Sequence, residues 1–341
     1  MIKHELNLSG ITPFNRMQIE HLVHLAGKFT SRILFEHNNR TINGKSMLGL
    51  LSMGVTGEDP VTMVVEGEDE AAAAQEIRRL LEHGVTPPKS AADADALMQE
   101  IKNRYTEILH DNLVGIYLHG SLVAGCFQWE LSDIDFLVVV EKPLEVKEKI
   151  ALVEVLYSLR EDAPPAGFEM SVMLAEDCKK CKFPLPYDLH FSFAYIREYE
   201  RDARGFCERM HGEDPDLTAH VQALHAYGAA LLGPGIIRTF AKPRREDVLA
   251  ALQFDWMGAA DHLHEKPIYY VLNLCRALAY LREELTLSKK DGGEWAISHL
   301  DKAHQAVIQA AINAYASGRD MFYDEGQAED FCYDAIEELS K

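Results

Sequence analysis

His119-Gly120-Ser121, followed twelve residues after the serine by Asp133-Ile134-Asp135 and an apolar run over 136–140, holds the residue types best suited to chemistry. A Gly-Ser turn lets backbone N–H groups come close to a phosphate. Two carboxylates at i and i+2 of a strand share one face. Like charges ~4 Å apart repel by about 4 kcal/mol at an effective dielectric of ~20. A divalent cation removes that repulsion, and Mg²⁺ is commonly held by one or two carboxylates together with substrate phosphates. Two solvated acids at a strand end are the plainer alternative, but the Gly-Ser turn ahead of them favours a metal–nucleotide site at Asp133 and Asp135.

The pattern around these residues predicts elements to hold them. Residues 114–118 read as a buried strand, 122–127 as a helix, 134–140 as the next strand and 144–159 as a helix. A third strand over 168–174 carries Glu169, a further carboxylate. Beyond about 213 the periodicity is helical: 217–232, 245–263, 268–285, 292–315 and an acidic last helix. The first 84 residues form a separate α+β segment. Strands are expected at 3–8, 32–36 and 61–65, a hairpin turn at Asn38-Asn39, and helices at 19–29, 46–53 and 69–83. Residues 85–92, with two prolines and small residues, read as a linker. Helix resumes at 93, where Leu97, Ile101, Tyr105 and Leu109 recur every four residues. The expected domains are therefore 1–84, 93–212 and 213–341.

Bulk properties narrow the setting. A chain of 341 residues calls for two or three domains, and no run of about 18 apolar residues offers a membrane span. The first residues lack the basic and apolar regions of a signal peptide. Six scattered cysteines form no disulfide framework, which points to the cytoplasm. A net charge of −20 repels nucleic acid and suits a cationic small molecule, although acidity also serves solubility alone.

Residues 1–84 resemble the histidine phosphocarrier (HPr) of the sugar phosphotransferase system. The likeness rests on Asn43-Gly44-Lys45-Ser46-Met47-Leu48-Gly49-Leu50-Leu51-Ser52-Met53-Gly54 and on Glu66-Gly67-Glu68-Asp69-Glu70. It implies an open-faced sandwich of four strands and three helices, with Ser46 at the place of the family's regulatory serine. A helix N-cap explains a serine there as well. The phosphorylatable histidine is replaced: counting from either side puts Asn15 or Thr12 at its place, and neither side chain forms a phosphohistidine. The phosphorelay reads as lost. Docking to a phosphotransferase-system protein through residues 1–84 remains an expectation.

Gly120-Ser121…Asp133-x-Asp135 with a third carboxylate on a nearby strand resembles the nucleotidyltransferase superfamily of DNA polymerase β. Within it, residues 95–318 resemble the streptomycin/spectinomycin-type aminoglycoside adenylyltransferases. The matches continue at Leu231-Leu-Gly-Pro234, Val271-Leu-Asn-Leu-Cys-Arg276, Ser288-Lys289, Glu294-Trp-Ala296 and Ala314-Tyr315. The implied fold is α+β: the HPr-like sandwich, a polymerase β-type domain with a mixed sheet, and a C-terminal helical bundle. The resemblance implies that Gly120, Ser121 and Ser132 hold nucleotide phosphates and that Asp133 and Asp135 bind Mg²⁺ bridging ATP. It makes Glu169 the general base for a substrate hydroxyl, and puts Arg276, Lys289 and Tyr315 on ATP phosphates and base. The plain alternatives are the polar face of an alternating strand for Glu169 and solvated surface charges for Arg276 and Lys289.

On the acceptor side the likeness departs. Ungapped counting from Arg276 puts His262 and Lys266 where the family carries acids that bind drug ammonium groups, while Asp261 and Glu265 lie one residue earlier. One residue of offset turns a helical side chain by about 100°. Asp255, Asp261 and Glu265 are the candidate substrate residues, and Trp256 lies beside them. Cys178-Lys-Lys-Cys181 lacks a second pair for zinc, and His190 reads as a structural histidine. The leading expectation is ATP- and Mg²⁺-dependent adenylylation of an aminoglycoside or aminocyclitol hydroxyl. The alternative is a regulatory protein linking the phosphotransferase system to nucleotidylation or nucleotide sensing. Nucleotidyl addition to RNA or DNA fits the charge poorly.

Overall fold

The computed structural model describes residues 1–6, 16–38, 40–53, 60–83 and 89–341. The chain divides into two units, Met1–Lys89 and Ser90–Lys341. Thr12, Asn15, Asn39, Gly54 and residues 85–88 of the expected linker lie outside the described residues.

The first unit is a four-stranded antiparallel sheet of β1 (Ile2–Leu6), β2 (Arg32–His37), β3 (Arg40–Asn43) and β4 (Val61–Glu66), in the order β1-β4-β2-β3. Helices Arg16–Gly27, Met47–Leu51 and Glu70–His83 join it. Ile33, Phe35, Met63 and Val65 are buried together with Leu22, Ala26, Ala73 and Ile77 from the helices, which places the core between sheet and helices. The strand–helix order is the one the HPr resemblance implies. Asp69 explains part of the Glu66–Glu70 match: its carboxylate accepts from the backbone N–H groups of Thr30 (2.7 Å) and Ser31 (2.8 Å) and closes the turn into β2. Ser46 caps the Met47–Leu51 helix, its Oγ accepting from the Gly49 N–H at 3.1 Å.

The second unit is built on a five-stranded mixed sheet of β5 (Leu113–Leu118), β6 (Ile134–Val140), β7 (Phe168–Leu174), β9 (Leu189–Ser192) and β11 (Ala229–Leu232). A short antiparallel pair, β8 (Leu185–Tyr187) with β10 (Gly212–Asp214), flanks it. The sheet order is β11-β5-β6-β7-β9, with β6 and β7 parallel and the other pairs antiparallel. Helices Ala91–Leu109 and Val146–Ser158 cover one face, burying Tyr105, Phe136 and Phe168 between them. Full burial of such a side chain stabilises by about 1.5–3 kcal/mol. The remaining helices, from Arg245–Trp256 to Glu325–Leu339, pack around the buried Val271–Tyr280 stretch of the Pro267–Glu283 helix.

Four expected spans are corrected. The helix expected over 217–232 is Asp216–Tyr227, because extended Gly228 ends it and Ala229–Leu232 pairs with β5 instead. The helix expected over 122–127 is Gly120–Val123, so the Gly-Ser pair forms its first turn; Cys126 N–H then turns back onto Ser121 O at 3.2 Å. The expected helices 245–263 and 292–315 are each broken, near Gly258 and at Leu300–Asp301. No helix among the described residues is long and apolar enough to cross a membrane.

Lys149 is buried on the Val146–Ser158 helix, its ammonium 3.2 Å from Asp188 Oδ1. Asp188 also accepts from Leu144 N–H at 2.8 Å. Lys149→Ala leaves that carboxylate buried without its cation, and should cost about 3 kcal/mol. Urea unfolding followed by tryptophan fluorescence checks this, since Trp129, Trp256 and Trp295 all lie in the second unit.

Candidate active site

The parallel pairing of β6 with β7 builds the centre of the site. Asp135 stands directly opposite Glu169 in the register, so both side chains leave the same face of the sheet side by side. Asp133 precedes β6 by one residue. Ligand oxygens of Asp133, Asp135 and Glu169 all lie within 4.8 Å of one another, the one such group of three among the described residues. Gly120 closes over them with φ +68°, and a Cβ built there would overlap Asp135 Oδ2. Only glycine leaves that carboxylate in place.

These acids line a cavity of about 350 Å³ between the sheet and the helical half. Ser121, Ser132, Asp255, Arg276, Lys289 and Tyr315 line it too. The structure thus gathers the sequence-derived candidates Gly120, Ser121, Ser132, Asp133, Asp135, Glu169, Arg276, Lys289, Tyr315 and Asp255 around one space. Asp261 and Glu265 are not among its lining residues and face solvent, since the helix there breaks at Gly258 and restarts as the short turn Ala259–His262. Trp256 is buried in the helical core. Cys178 and Cys181 pack in an apolar cluster, where burial pushes their thiols up to about 12 and about 11. His190 pairs with Ser171 Oγ at 2.9 Å, away from the cavity lining.

Each helical contribution has its own support. Arg276 Nε donates to Leu287 O (3.0 Å) and Nη1 to Asn273 Oδ1 (2.9 Å), which fixes the guanidinium at the cavity wall. Its Nη1 lies 3.9 Å from Asp255 Oδ2, and Tyr269 donates to Asp255 Oδ1 at 2.9 Å. Lys289 starts the helix Lys289–His299, with its ammonium 5.2 Å above the Tyr269 ring centre. Gln128 Nε2 donates to Tyr315 O at 3.1 Å, tying the loop before Ser132 to the last part of the bundle. Ser132 Oγ already accepts from Gln128 N–H at 3.1 Å. Ser121 Oγ is buried without a partner.

The helix Asp216–Tyr227 went unnoticed in the sequence as a source of site residues. It presents Asp216, Ala219, His220, Ala223 and Tyr227 to the cavity. Their i, i+3, i+4, i+7 spacing was the available signal, with Asp216 and His220 one turn apart. His220 Nε2 lies 3.3 Å from Asp216 Oδ2 and 3.9 Å from Glu169 Oε1, and its ring packs on that of His119 with centroids 4.5 Å apart.

The electrostatics follow from crowding acids in a low-dielectric space. Burial, then the charges of Asp133 and Glu169, push the Asp135 carboxyl well above the usual carboxylate range. Burial likewise raises Glu169, opposed by His220. Burial works against the His220 imidazolium, but Asp216, Glu169 and Asp135 together hold its pKa up at about 10. Asp216 falls to about 2 against its own burial because His220 is beside it. Burial and the Arg276 charge lower Lys289. Carboxylates this close, furnished with oxygen donors alone, fit a hard divalent cation.

Residues 98–173 match the nucleotidyltransferase domain family, which sets the class of protein. Residues 240–338 match the family described as aminoglycoside adenylyltransferase, C-terminal domain, and residues 18–83 match the PTS HPr component phosphorylation site family. The chain therefore carries a nucleotidyltransferase domain, an aminoglycoside adenylyltransferase C-terminal domain and an HPr-like domain. The crystal structure of spectinomycin adenyltransferase AAD(9) from Enterococcus faecialis, with ATP and spectinomycin, is 19% identical, covers 72% of this chain and 99% of its own, and superposes with a TM-score of 0.61. At that identity the likeness is one of fold. The HPr-like protein Crh of Bacillus subtilis (strain 168) is 33% identical over 60 residues, 18% of this chain and 71% of that protein. A crystal structure of HPr-C-His from Thermoanaerobacter tengcongensis is 30% identical over 24% of this chain and 92% of its own, with a TM-score of 0.23.

Gly120→Ala should displace Asp135 and weaken divalent-cation binding at least about tenfold. Calorimetric titration of the full chain with Mn²⁺ or Mg²⁺ reads this directly.

Proposed function

We propose that this chain transfers the adenylyl group of ATP, with Mg²⁺, to a hydroxyl of a cationic aminoglycoside or aminocyclitol of the streptomycin or spectinomycin kind. The observation that carries the reading is the convergence of Asp133, Asp135 and Glu169 within 4.8 Å of one another in a cavity also lined by Arg276 and Lys289. Asp133 and Asp135 would hold the cation. Mg²⁺, when bound, neutralises triphosphate charge and acts as a Lewis acid toward its oxygens. The unpartnered Ser121 hydroxyl, the turn at Gly120, and the Ser132 hydroxyl, which keeps its own proton free to donate, receive phosphate oxygens. Arg276 and Lys289 add fixed positive charge where the leaving pyrophosphate gathers negative charge. Tyr315 offers its ring and hydroxyl to the base.

Glu169 accepts the proton of the acceptor hydroxyl as that oxygen bonds to the α-phosphorus. The bond from the α-phosphorus to the bridging oxygen breaks, and pyrophosphate departs. Asp255, half enclosed and steadied by Tyr269, is the acid best placed for an acceptor ammonium; Asp261 and Glu265 drop out of that role because they face away from the cavity. The net charge of −20 favours approach of such a cation.

A second reading concerns residues 1–84 and is supported by the likeness to an HPr-like protein. That unit docks a phosphotransferase-system protein, which links acceptor modification to carbohydrate control. Binding of purified phosphotransferase proteins to the full chain tests it, and no measurable complex removes it.

Pyrophosphate release from ATP and Mg²⁺ over a panel of aminoglycosides tests the main reading; silence across the panel overturns it. Asp135→Asn should bring turnover near background, and Glu169→Gln should lower kcat by about 100-fold or more. A pH dependence follows as well. Without cation, the raised carboxyls of Asp135 and Glu169 stabilise the fold below the ordinary carboxylate range and lose that contribution as pH rises through their folded values. Because a cation takes the place of those protons, the rise in Tm on adding Mg²⁺ should be larger at pH 8 than at pH 5, as differential scanning calorimetry would show.

A further inference from the structure

The Asp216–Tyr227 helix brings to the cavity an imidazole that the reaction proposed above does not use. His220 is held on three sides. Asp216, one turn earlier on the same helix, sits 3.3 Å from its Nε2. His119, at the end of β5, packs its ring against the imidazole with 33° between planes. The third side faces Glu169, whose Oε1 is 3.9 Å from the same nitrogen. Burial keeps His119 neutral, so it offers a packing face and no competing charge.

Glu169 needs such a partner. Its carboxylate shares a space of 4.8 Å with Asp133 and Asp135, and three acids at that spacing repel one another. A glutamate side chain spreads over several rotamers unless something opposes that repulsion. We propose that His220 is the positioning residue for Glu169: its imidazole draws the carboxylate toward the Asp216–Tyr227 helix and keeps it aimed at the acceptor hydroxyl. Asp216 orients the imidazole, and His119 fixes the plane in which it lies. At 3.9 Å the contact to Glu169 is a charge contact and not a hydrogen bond, so the role is one of direction. The inference rests on the reading of Glu169 as the base.

Steady-state kinetics of the full chain test it. His220→Ala should lower kcat by about 10- to 100-fold while the KM for ATP stays within about twofold, since a base misplaced by ~1 Å costs up to ~100-fold. Added imidazole should restore part of that loss. His220→Gln, which keeps bulk and polarity but not the charge, should also lose about tenfold or more in kcat; it carries the test alone if His220→Ala does not fold by circular dichroism, and a folded His220→Gln with kcat within twofold of the parent then overturns the proposal. A folded His220→Ala with kcat within twofold of the parent overturns the proposal. So does a loss confined to the KM for ATP, which would make His220 a nucleotide contact. Glu169→Gln assayed in parallel separates the two readings: an undiminished Glu169→Gln, or a parent chain without transferase activity, overturns the assignment of the base. An impaired Glu169→Gln beside an unimpaired His220→Ala overturns only the positioning role.

Discussion

Mutual repulsion among Asp133, Asp135 and Glu169 is the constraint around which the second unit is arranged. Three carboxylates within 4.8 Å of one another are unstable by themselves. The fold imposes the spacing through backbone pairing, which side-chain repulsion cannot undo. Parallel β6 and β7 set Asp135 opposite Glu169, and the Gly120 turn closes over Asp135 without room for a Cβ. The surrounding charges then make sense as compensation. His220, Arg276 and Lys289 come from three different helices and all reach the same cavity.

The helical half contributes rigid supports more than loose side chains. Arg276 is tied to Leu287 and Asn273, and Asp255 to Tyr269. Gly292 lies so close to the Arg276 helix that a Cβ there would sit 2.8 Å from Arg276 Cγ. Charged groups fixed in this way lose little freedom on meeting an anion, which is the condition for preorganised electrostatic stabilisation.

The central acids were legible because their signal is local: Asp133-Ile134-Asp135 before an apolar run specifies a strand and a face at once. Glu169 was legible as a residue on a strand, but its register against Asp135 was not, since that depends on a parallel crossover spanning the intervening helix. Asp216 and His220 escaped for a related reason. A polar pair one turn apart on an amphipathic helix looks like any solvated face until tertiary packing turns it inward. The same limit explains the acceptor side, where the chain after Trp256 breaks at Gly258 and carries Asp261 and Glu265 away from the cavity. Ala229–Leu232 reads as the end of a helix because alanine and leucine favour helix, and only the extended Gly228 and the open edge of β5 make it a strand.

Tyr117 in β5 has a mechanical consequence. Its hydroxyl donates to Pro234 O at 3.0 Å and lies 2.7 Å from Thr239 Oγ1, while Phe240 packs edge-on against its ring and Ala241 N–H reaches Cys178 O. Pro234, Thr239 and Phe240 are therefore stapled to the sheet through Tyr117, as the strand Ala229–Leu232 is by its pairing with β5, and Ala241 is tied to the Ala175–Lys180 helix. Lys242-Pro243-Arg244, with Pro243 buried, then lead into the Arg245–Trp256 helix. Any swivel at those three residues would carry Asp255, Arg276 and Lys289 together past Asp133, Asp135, Glu169 and His220, and the Gln128–Tyr315 and Gln222–Thr286 hydrogen bonds across the cleft oppose it.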